Sequence, residues 1–74
     1  MHDETRAAFS AFLMARQDQL LGIATRMLRS RDDAMDVLQE VACLLYKHWH
    51  SLDANNNVDG WLYRVTVNEC HRWL

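Results

Sequence analysis

The chain has 74 residues, half of them apolar, and a net charge of −2 at pH 7. That composition argues against disorder, and the length allows one domain, residues 1–74, with one small core. The chain has only two glycines and no proline. Strands joined by tight turns normally need more of both, so we expect an all-α fold, a compact bundle of three to four helices. The negative charge argues against a free-standing nucleic-acid binder, because neutralising phosphate needs basic residues.

The cysteines and the two chain ends suggest a cytoplasmic protein with no membrane insertion. Cys43 and Cys70 fall in apolar helical patterns, which predicts reduced thiols in or near the core, although one disulfide stays open. No apolar run approaches the roughly 20 residues of a membrane span, and the first residues lack the pattern of a signal peptide. Because Trp73 and Leu74 continue a helical pattern, we expect residues 1–74 to be the N-terminal part of a longer chain.

The first half of the chain has two groups of apolar residues at helical spacing. The first group is Ala8, Phe9, Phe12 and Leu13, and the second is Leu20, Ile23, Ala24, Met27 and Leu28. The polar residues 17–19 between them predict a bend that separates two helices. The same pattern also allows one long helix.

The next helix begins near Ser30 and Asp33, whose spacing resembles a capping box. Its apolar stripe is wide, so one side can pack in the core while another meets a partner. The members of this stripe are Ala34, Val37, Leu38, Val41, Leu44 and Leu45, with Trp49 as a further candidate.

Residues 51–59 form a predicted loop, because three consecutive asparagines favour turns and helix caps. Asn57 or Asp59 can cap a last helix that begins near Val58. One face of that helix mixes apolar and charged side chains, which indicates contacts beyond a purely structural core. The residues of this face are Trp61, Leu62, Val65, Glu69, Arg72 and Trp73.

The third predicted helix carries an acceptor-rich patch. Asp36, Gln39 and Glu40 lie on one face at i, i+3 and i+4, where their oxygens can accept hydrogen bonds from arginine side chains of a basic partner. Val41, with Leu44 or Leu45, would add an apolar component that an interface can bury. The alternative is a solvated face that only complements the helix dipole.

The last predicted helix carries side chains suited to unpaired bases. Trp61 and Tyr63 can stack on bases, Arg64 can hold phosphate or stack, and Asn68 can read base edges. Alternatively, Trp61 is a core residue and Asn68 a tolerated surface residue. Asparagine has poor propensity for a helix interior, which favours a functional reason for Asn68.

Nothing in the sequence indicates an enzyme, a cofactor or a metal site. None of the four histidines stands at metal-binding spacing to another histidine or to a cysteine. Nucleophile-elbow, P-loop and dinucleotide-binding motifs are missing as well.

These segments together resemble region 2 of the bacterial sigma-70 family, in particular the extracytoplasmic-function (ECF) group. Two segments carry the resemblance, DDAMDVLQEV from Asp32 and GWLYRVTVN from Gly60. Further matches are Ala24, Met27, Leu28, Trp49 and Val58, and residues 9–13 resemble the first helix of the family.

The resemblance implies a promoter-specificity subunit of RNA polymerase. Asp36, Gln39, Glu40 and Leu44 would bind the clamp helices of the largest polymerase subunit. A second set of residues would bind the separated non-template strand of the promoter −10 element. These residues are Asn55, Asn56, Asn57, Trp61, Tyr63, Arg64 and Asn68. An anti-sigma factor is a further possible partner, and the domain that reads the −35 element is not covered. The alternative is a helical protein-interaction module without a nucleic-acid role.

Overall fold

The computed structural model describes residues 3–52 and 57–74, with side chains from Arg6 onward. It contains three α-helices, α1 (Asp3–Leu28), α2 (Arg31–His48) and α3 (Val58–Trp73), and a 3₁₀ turn (Trp49–Ser51) after α2. Each helix packs against the other two. The described residues contain no strand, so the expected all-α bundle is confirmed. No helix in these residues has the length and apolar character needed to traverse a bilayer.

The first helix runs without interruption, so the predicted bend at residues 17–19 is wrong. These three side chains are exposed and place no polar group in the core. Glutamine is also a good helix former, so nothing local forces the helix to break. On the opposite side Leu20 and Ala24 are buried, and their packing holds the middle of α1 in register.

A two-residue turn folds α2 back along α1. Arg29 follows the last residue of α1 and has φ of 56°, and its N–H donates to the Thr25 carbonyl at 2.7 Å. This left-handed backbone costs an arginine about 1 kcal/mol more than it would cost glycine. Ser30 then caps α2 by accepting a hydrogen bond from the Asp33 N–H at 3.2 Å. The predicted cap is therefore confirmed.

The core takes apolar side chains from all three helices. Fully burying a valine or leucine stabilises the fold by about 1.5–3 kcal/mol. The buried apolar residues are Leu20, Ala24, Ala34, Val37, Val41, Leu45, Leu62 and Cys70. Half of them come from α2, at the spacing predicted from its apolar stripe. Leu38 and Leu44 lie at the two edges of that stripe and stay half-buried.

Aromatic rings join α1 to the end of α2. Phe9 packs edge-on against Tyr46 and Trp49, with ring centroids 5.6 and 5.5 Å apart. Phe12 meets Trp49 at 5.4 Å. Such pairs each contribute about 0.5–1.5 kcal/mol beyond their burial. The cluster therefore stabilises the N-terminal half of α1 against α2.

Asn57 provides the N-cap of α3, which resolves the choice between Asn57 and Asp59. Its side-chain oxygen accepts a hydrogen bond from the Gly60 N–H at 2.8 Å. A Cβ at Gly60 would lie 2.5 Å from Asn57 Nδ2, closer than nonbonded atoms approach. Glycine at this position therefore leaves room for the cap.

Candidate protein and nucleic-acid interfaces

The acceptor-rich patch of α2 lies at the edge of a groove between α2 and α3. Asp36, Gln39 and Glu40 are exposed and line this groove, which has a volume of about 610 Å³. Leu44 lies beside them and is half-buried, whereas Leu45 is fully buried in the core. The structure thus brings the four predicted docking residues to one surface, and their binding role stays a prediction.

The opposite wall of this α2/α3 groove comes from the last turns of α3. It consists of Glu69, Arg72 and Trp73. Glu69 is only 6 % exposed, and Arg72 Nη1 donates to its Oε1 at 3.2 Å. Sequence reasoning placed Glu69 and Arg72 on a mixed face but missed that they face the patch of α2. The only local indication of a contact between Glu69 and Arg72 was their i, i+3 spacing next to an aromatic residue.

Two carboxyl groups face each other across the α2/α3 groove. The hydrogen bond with Glu69 raises the pKa of Glu40 above its ordinary value, and desolvation and the negative charge of Glu69 act in the same direction. Trp73 and Arg72 oppose this increase in the pKa of Glu40. Since two neighbouring carboxylates repel, the site favours a proton or another cation between them. This groove suits a basic side chain.

Both cysteines are free, and they differ in exposure. Cys43 is exposed and lines the α2/α3 groove, so it is not the core residue that its apolar pattern suggested. Cys70 is buried, and this burial, together with the charge of Glu69, raises the pKa of its thiol. A thiol with a raised pKa stays protonated and unreactive at neutral pH, which fits a packing role for Cys70.

The outward face of α3 presents the side chains predicted to meet DNA. Tyr63, Arg64 and Asn68 are exposed, as is Asn57 at the start of the helix. Arg64 and Asn68 are four residues apart and therefore lie on the same side of α3. The predicted contacts Asn55 and Asn56 lie outside the described residues.

The two aromatic rings of this face lie on different flanks of α3. Trp61 is half-buried and packs edge-on against His48 of α2, with ring centroids 5.9 Å apart. Tyr63 is 55 % exposed and lines the side facing α1, next to Gln19 and Ile23. A single base therefore cannot stack on both rings. The arrangement suits separate contacts along an extended strand.

An arginine of α1 fixes the start of α3. Arg16 Nε donates to Asp59 Oδ1, and Arg16 Nη1 donates to the Phe12 carbonyl at 2.9 Å. The guanidinium also lies 3.6 Å from the centre of the Phe12 ring, a cation–π contact. The hydrogen bond and charge of Arg16 hold the pKa of Asp59 below its ordinary value, although desolvation opposes them. Sequence reasoning missed this pair, whose members are 43 positions apart.

The described residues hold no group of three histidine, cysteine, aspartate or glutamate side chains placed to bind a metal ion. What they do hold is two surfaces with different chemistry on one small helical bundle. One is the groove lined by carboxyl groups, and the other is the polar and aromatic outer face of α3. This combination defines a helical binding domain.

The family model for sigma-70 region 2 matches residues 12–74. The chain therefore belongs to the sigma-70 region 2 family, and the resemblance noted from its two motifs is confirmed. The match includes every described residue of the two surfaces.

Curated relatives include sigma factors of the ECF group. The chain is 32 % identical to the RNA polymerase sigma-E factor of Streptomyces coelicolor over 88 % of its length and 37 % of the relative's. It is also 32 % identical to the ECF RNA polymerase sigma factor SigG of Mycobacterium tuberculosis, over 92 % of its length and 18 % of the relative's. The chain thus spans well under half of these relatives. No solved structure matches the chain.

Proposed function

We propose that this chain is the part of a sigma factor that joins RNA polymerase to the promoter −10 element in transcription initiation. The observation that carries the proposal is the segregation of the two surfaces. Carboxyl groups gather in the α2/α3 groove, whereas Tyr63, Arg64 and Asn68 lie on the outward face of α3. Such a subunit acts in the cytoplasm, where the polymerase works, and confers specificity without chemistry of its own.

The α2/α3 groove is the proposed docking site for the polymerase clamp helices. Asp36, Gln39 and Glu40 accept hydrogen bonds from basic side chains of the partner, and these bonds are strengthened where the acceptor is a carboxylate. Leu44 supplies apolar surface next to them, as the central part of a stable interface requires. An anti-sigma factor would compete for polymerase binding by covering the same groove.

The outward face of α3 is the proposed site for the separated non-template strand. Opening DNA costs about 1.4 kcal/mol for each stacked step, and stacking a base on an aromatic ring returns roughly 1–3 kcal/mol. A domain that holds one or two bases cannot open a whole bubble. It biases where polymerase-assisted opening begins, because it binds the single strand better than the duplex. The asparagines before α3 would hold a base that leaves the stack.

Two variants separate the two proposed contacts. Asp36→Arg places a cation in the groove and should weaken binding to core polymerase by about 100-fold, as the loss of a close charge contact does. Asn68→Ala should leave that affinity unchanged and reduce −10 discrimination by about tenfold, the effect of one lost base contact. Fluorescence anisotropy with core polymerase, and with a −10 oligonucleotide on the complex, measures both.

Asp18→Arg is the matched control for Asp36→Arg. It makes the same charge reversal at an exposed position of α1 that borders Gln39 but lies outside the α2/α3 groove, so polymerase affinity should fall much less than with Asp36→Arg. If Asp36→Arg binds core polymerase as tightly as this control, the docking assignment fails.

The second candidate is a helical interaction module that keeps the docking surface and has no nucleic-acid role. The net charge of −2 favours it, since nucleic-acid-binding domains are commonly basic. The discriminating measurement is a titration of −10-like single-stranded DNA into the complex with the polymerase clamp fragment at low salt. Complete lack of binding would support the interaction module.

A further inference from the structure

A second groove runs along the other flank of α3, beneath Tyr63. Its volume is about 460 Å³. It lies between α3 and the second half of α1, and is lined by Gln19, Ile23, Arg26, Met27 and Tyr63. We call it the α1/α3 groove. Neither of the sequence motifs includes its α1 residues.

The α1/α3 groove contains one charged residue, the exposed Arg26, and no carboxylate lines it. The ion pairs of the described residues are Arg16 with Asp59 and Arg72 with Glu69, so Arg26 is not neutralised within them. On its other side Arg26 borders a shallow groove that also holds Asp18 and Arg31. These are the charged groups that share a surface with it.

The two flanks of α3 offer a departing DNA strand unequal paths. On the α2 flank, phosphates would meet the three carboxyl groups of Asp36, Glu40 and Glu69, which outnumber the single cation of Arg72 and repel negative charge. On the α1 flank the carboxylate of Asp59 is paired with Arg16. Further along the same flank phosphates would meet Arg26, with Gln19 as an uncharged hydrogen-bonding neighbour. Tyr63 lies on this α1 flank, so the groove is continuous with the proposed DNA face.

We propose that the α1/α3 groove is an additional subsite for the single strand, in which Arg26 binds a backbone phosphate and Gln19 donates a hydrogen bond to the same nucleotide. This inference rests on the proposed function, since it extends the DNA contacts of α3 onto α1. The contact is to phosphate, so it adds affinity without base preference. Arg26 also gives this groove a local positive charge, although the net charge of the chain is −2.

The salt dependence of DNA binding tests this subsite. Each phosphate contact to a single strand contributes about 0.7 to the slope of log affinity against log salt concentration. Arg26→Gln, in complex with core polymerase, should lower that slope by about 0.7 for a −10-like oligonucleotide and weaken binding severalfold at low salt. Arg26→Lys keeps the charge and should restore the slope.

Arg31→Gln is the matched control, because it removes the same charge from the α1/α2 side of the bundle. Its slope should equal that of wild type. Equal reductions by Arg26→Gln and Arg31→Gln would overturn the subsite in favour of a general electrostatic effect. An unchanged slope for Arg26→Gln, with weakened binding for Asn68→Ala, would overturn the subsite and leave the proposed function intact. If Tyr63→Ala and Asn68→Ala also bind normally, the proposed function itself fails.

Discussion

The two grooves that flank α3 are lined by different residues of that helix and differ in charge. The α2/α3 groove sets three carboxyl groups, those of Asp36, Glu40 and Glu69, against the single cation of Arg72. The α1/α3 groove has Arg26 and no carboxylate. A net charge of −2 therefore does not describe either surface. Under the proposed function, this small acidic domain offers one flank to a basic protein and the other to an anionic strand.

The pKa values of two carboxyl groups, one on each flank of α3, are shifted in opposite directions. Glu40 meets a second carboxyl group across the α2/α3 groove, and its pKa is raised. Asp59 lies on the α1 flank near Tyr63, and Arg16 lowers its pKa. The neighbouring side chain, Glu69 for Glu40 and Arg16 for Asp59, determines the direction of the pKa shift.

The largest expected effect comes from the packing that holds α3 between its neighbours. Leu62 is 1 % exposed and lies under the α1 flank of α3. Leu62→Ala should lower the free energy of unfolding by about 2–5 kcal/mol and loosen the packing of α3. Urea denaturation measures this change, and the exposed Leu74→Ala should stay within about 0.5 kcal/mol of wild type. Equal losses in the two variants would contradict this packing.

A smaller loss is expected at the start of α3, where glycine is required by a close contact. The Cβ of Gly60→Ala would displace the capping side chain of Asn57. The variant should lose about 1 kcal/mol, the value of an N-cap, despite the better helix propensity of alanine. Thermal unfolding measures the change. Since Asn57→Ala removes the same cap, the double variant should be little worse than either single variant.

The contrasting substitution in α1 should stabilise the protein. Gly22 lies inside the helix, where glycine costs roughly 0.5–1 kcal/mol relative to alanine. A Cβ there would meet only Arg26 Nη1 at 3.7 Å, an ordinary contact. Gly22→Ala should therefore raise the free energy of unfolding by about 0.5–1 kcal/mol in the same thermal experiment. A destabilised variant would show that the groove beside Arg26 is tighter than described.

The smallest effects concern pH, and they have opposite signs on the two flanks. Because the pKa of Glu40 is raised, its stabilising contribution is present below its ordinary value of 4.5 and is lost as pH rises through the raised pKa. Glu40→Gln mimics the protonated acid. Its stability should match wild type at low pH and exceed it as pH rises.

The pKa of Asp59 is lowered, so its contribution is present above its ordinary value of 3.8 and is lost as pH falls through the lowered pKa. Asp59→Asn should therefore be less stable than wild type near neutral pH, and this difference should disappear in acid. Both effects are small because the carboxyl groups are exposed to solvent. Urea denaturation at a series of pH values measures them, and equal signs for the two variants would contradict the described contacts.

Features that depend on neighbours in the chain were predictable. The caps at Ser30 and Asn57 act over three residues, and the buried positions of α2 follow its helical period. The patch of Asp36, Gln39 and Glu40 was predictable for the same reason, since one helix turn brings the three together. In each case the spacing along a single helix contains the relevant geometry.

Features that depend on packing between helices were not predictable. The bend expected at residues 17–19 is missing because the buried side of α1 packs continuously. Arg16 and Asp59 meet only when α3 lies against α1. Helix geometry already places Trp61 and Tyr63 on opposite sides of α3, but only the packing determines that Trp61 faces α2 and Tyr63 faces α1.

The sequence by itself determined the all-α class, the cap of α2, the apolar stripe of α2 and the family, and it narrowed the cap of α3 to two residues, because propensity, period and motif are local properties of the chain. Only the tertiary structure decided which charges face one another. It buried Glu69 opposite Glu40, paired Arg16 with Asp59 and left Arg26 in a groove without carboxylates. The physical reason is that electrostatic interaction depends on distance and burial, and both are fixed by how the three helices pack.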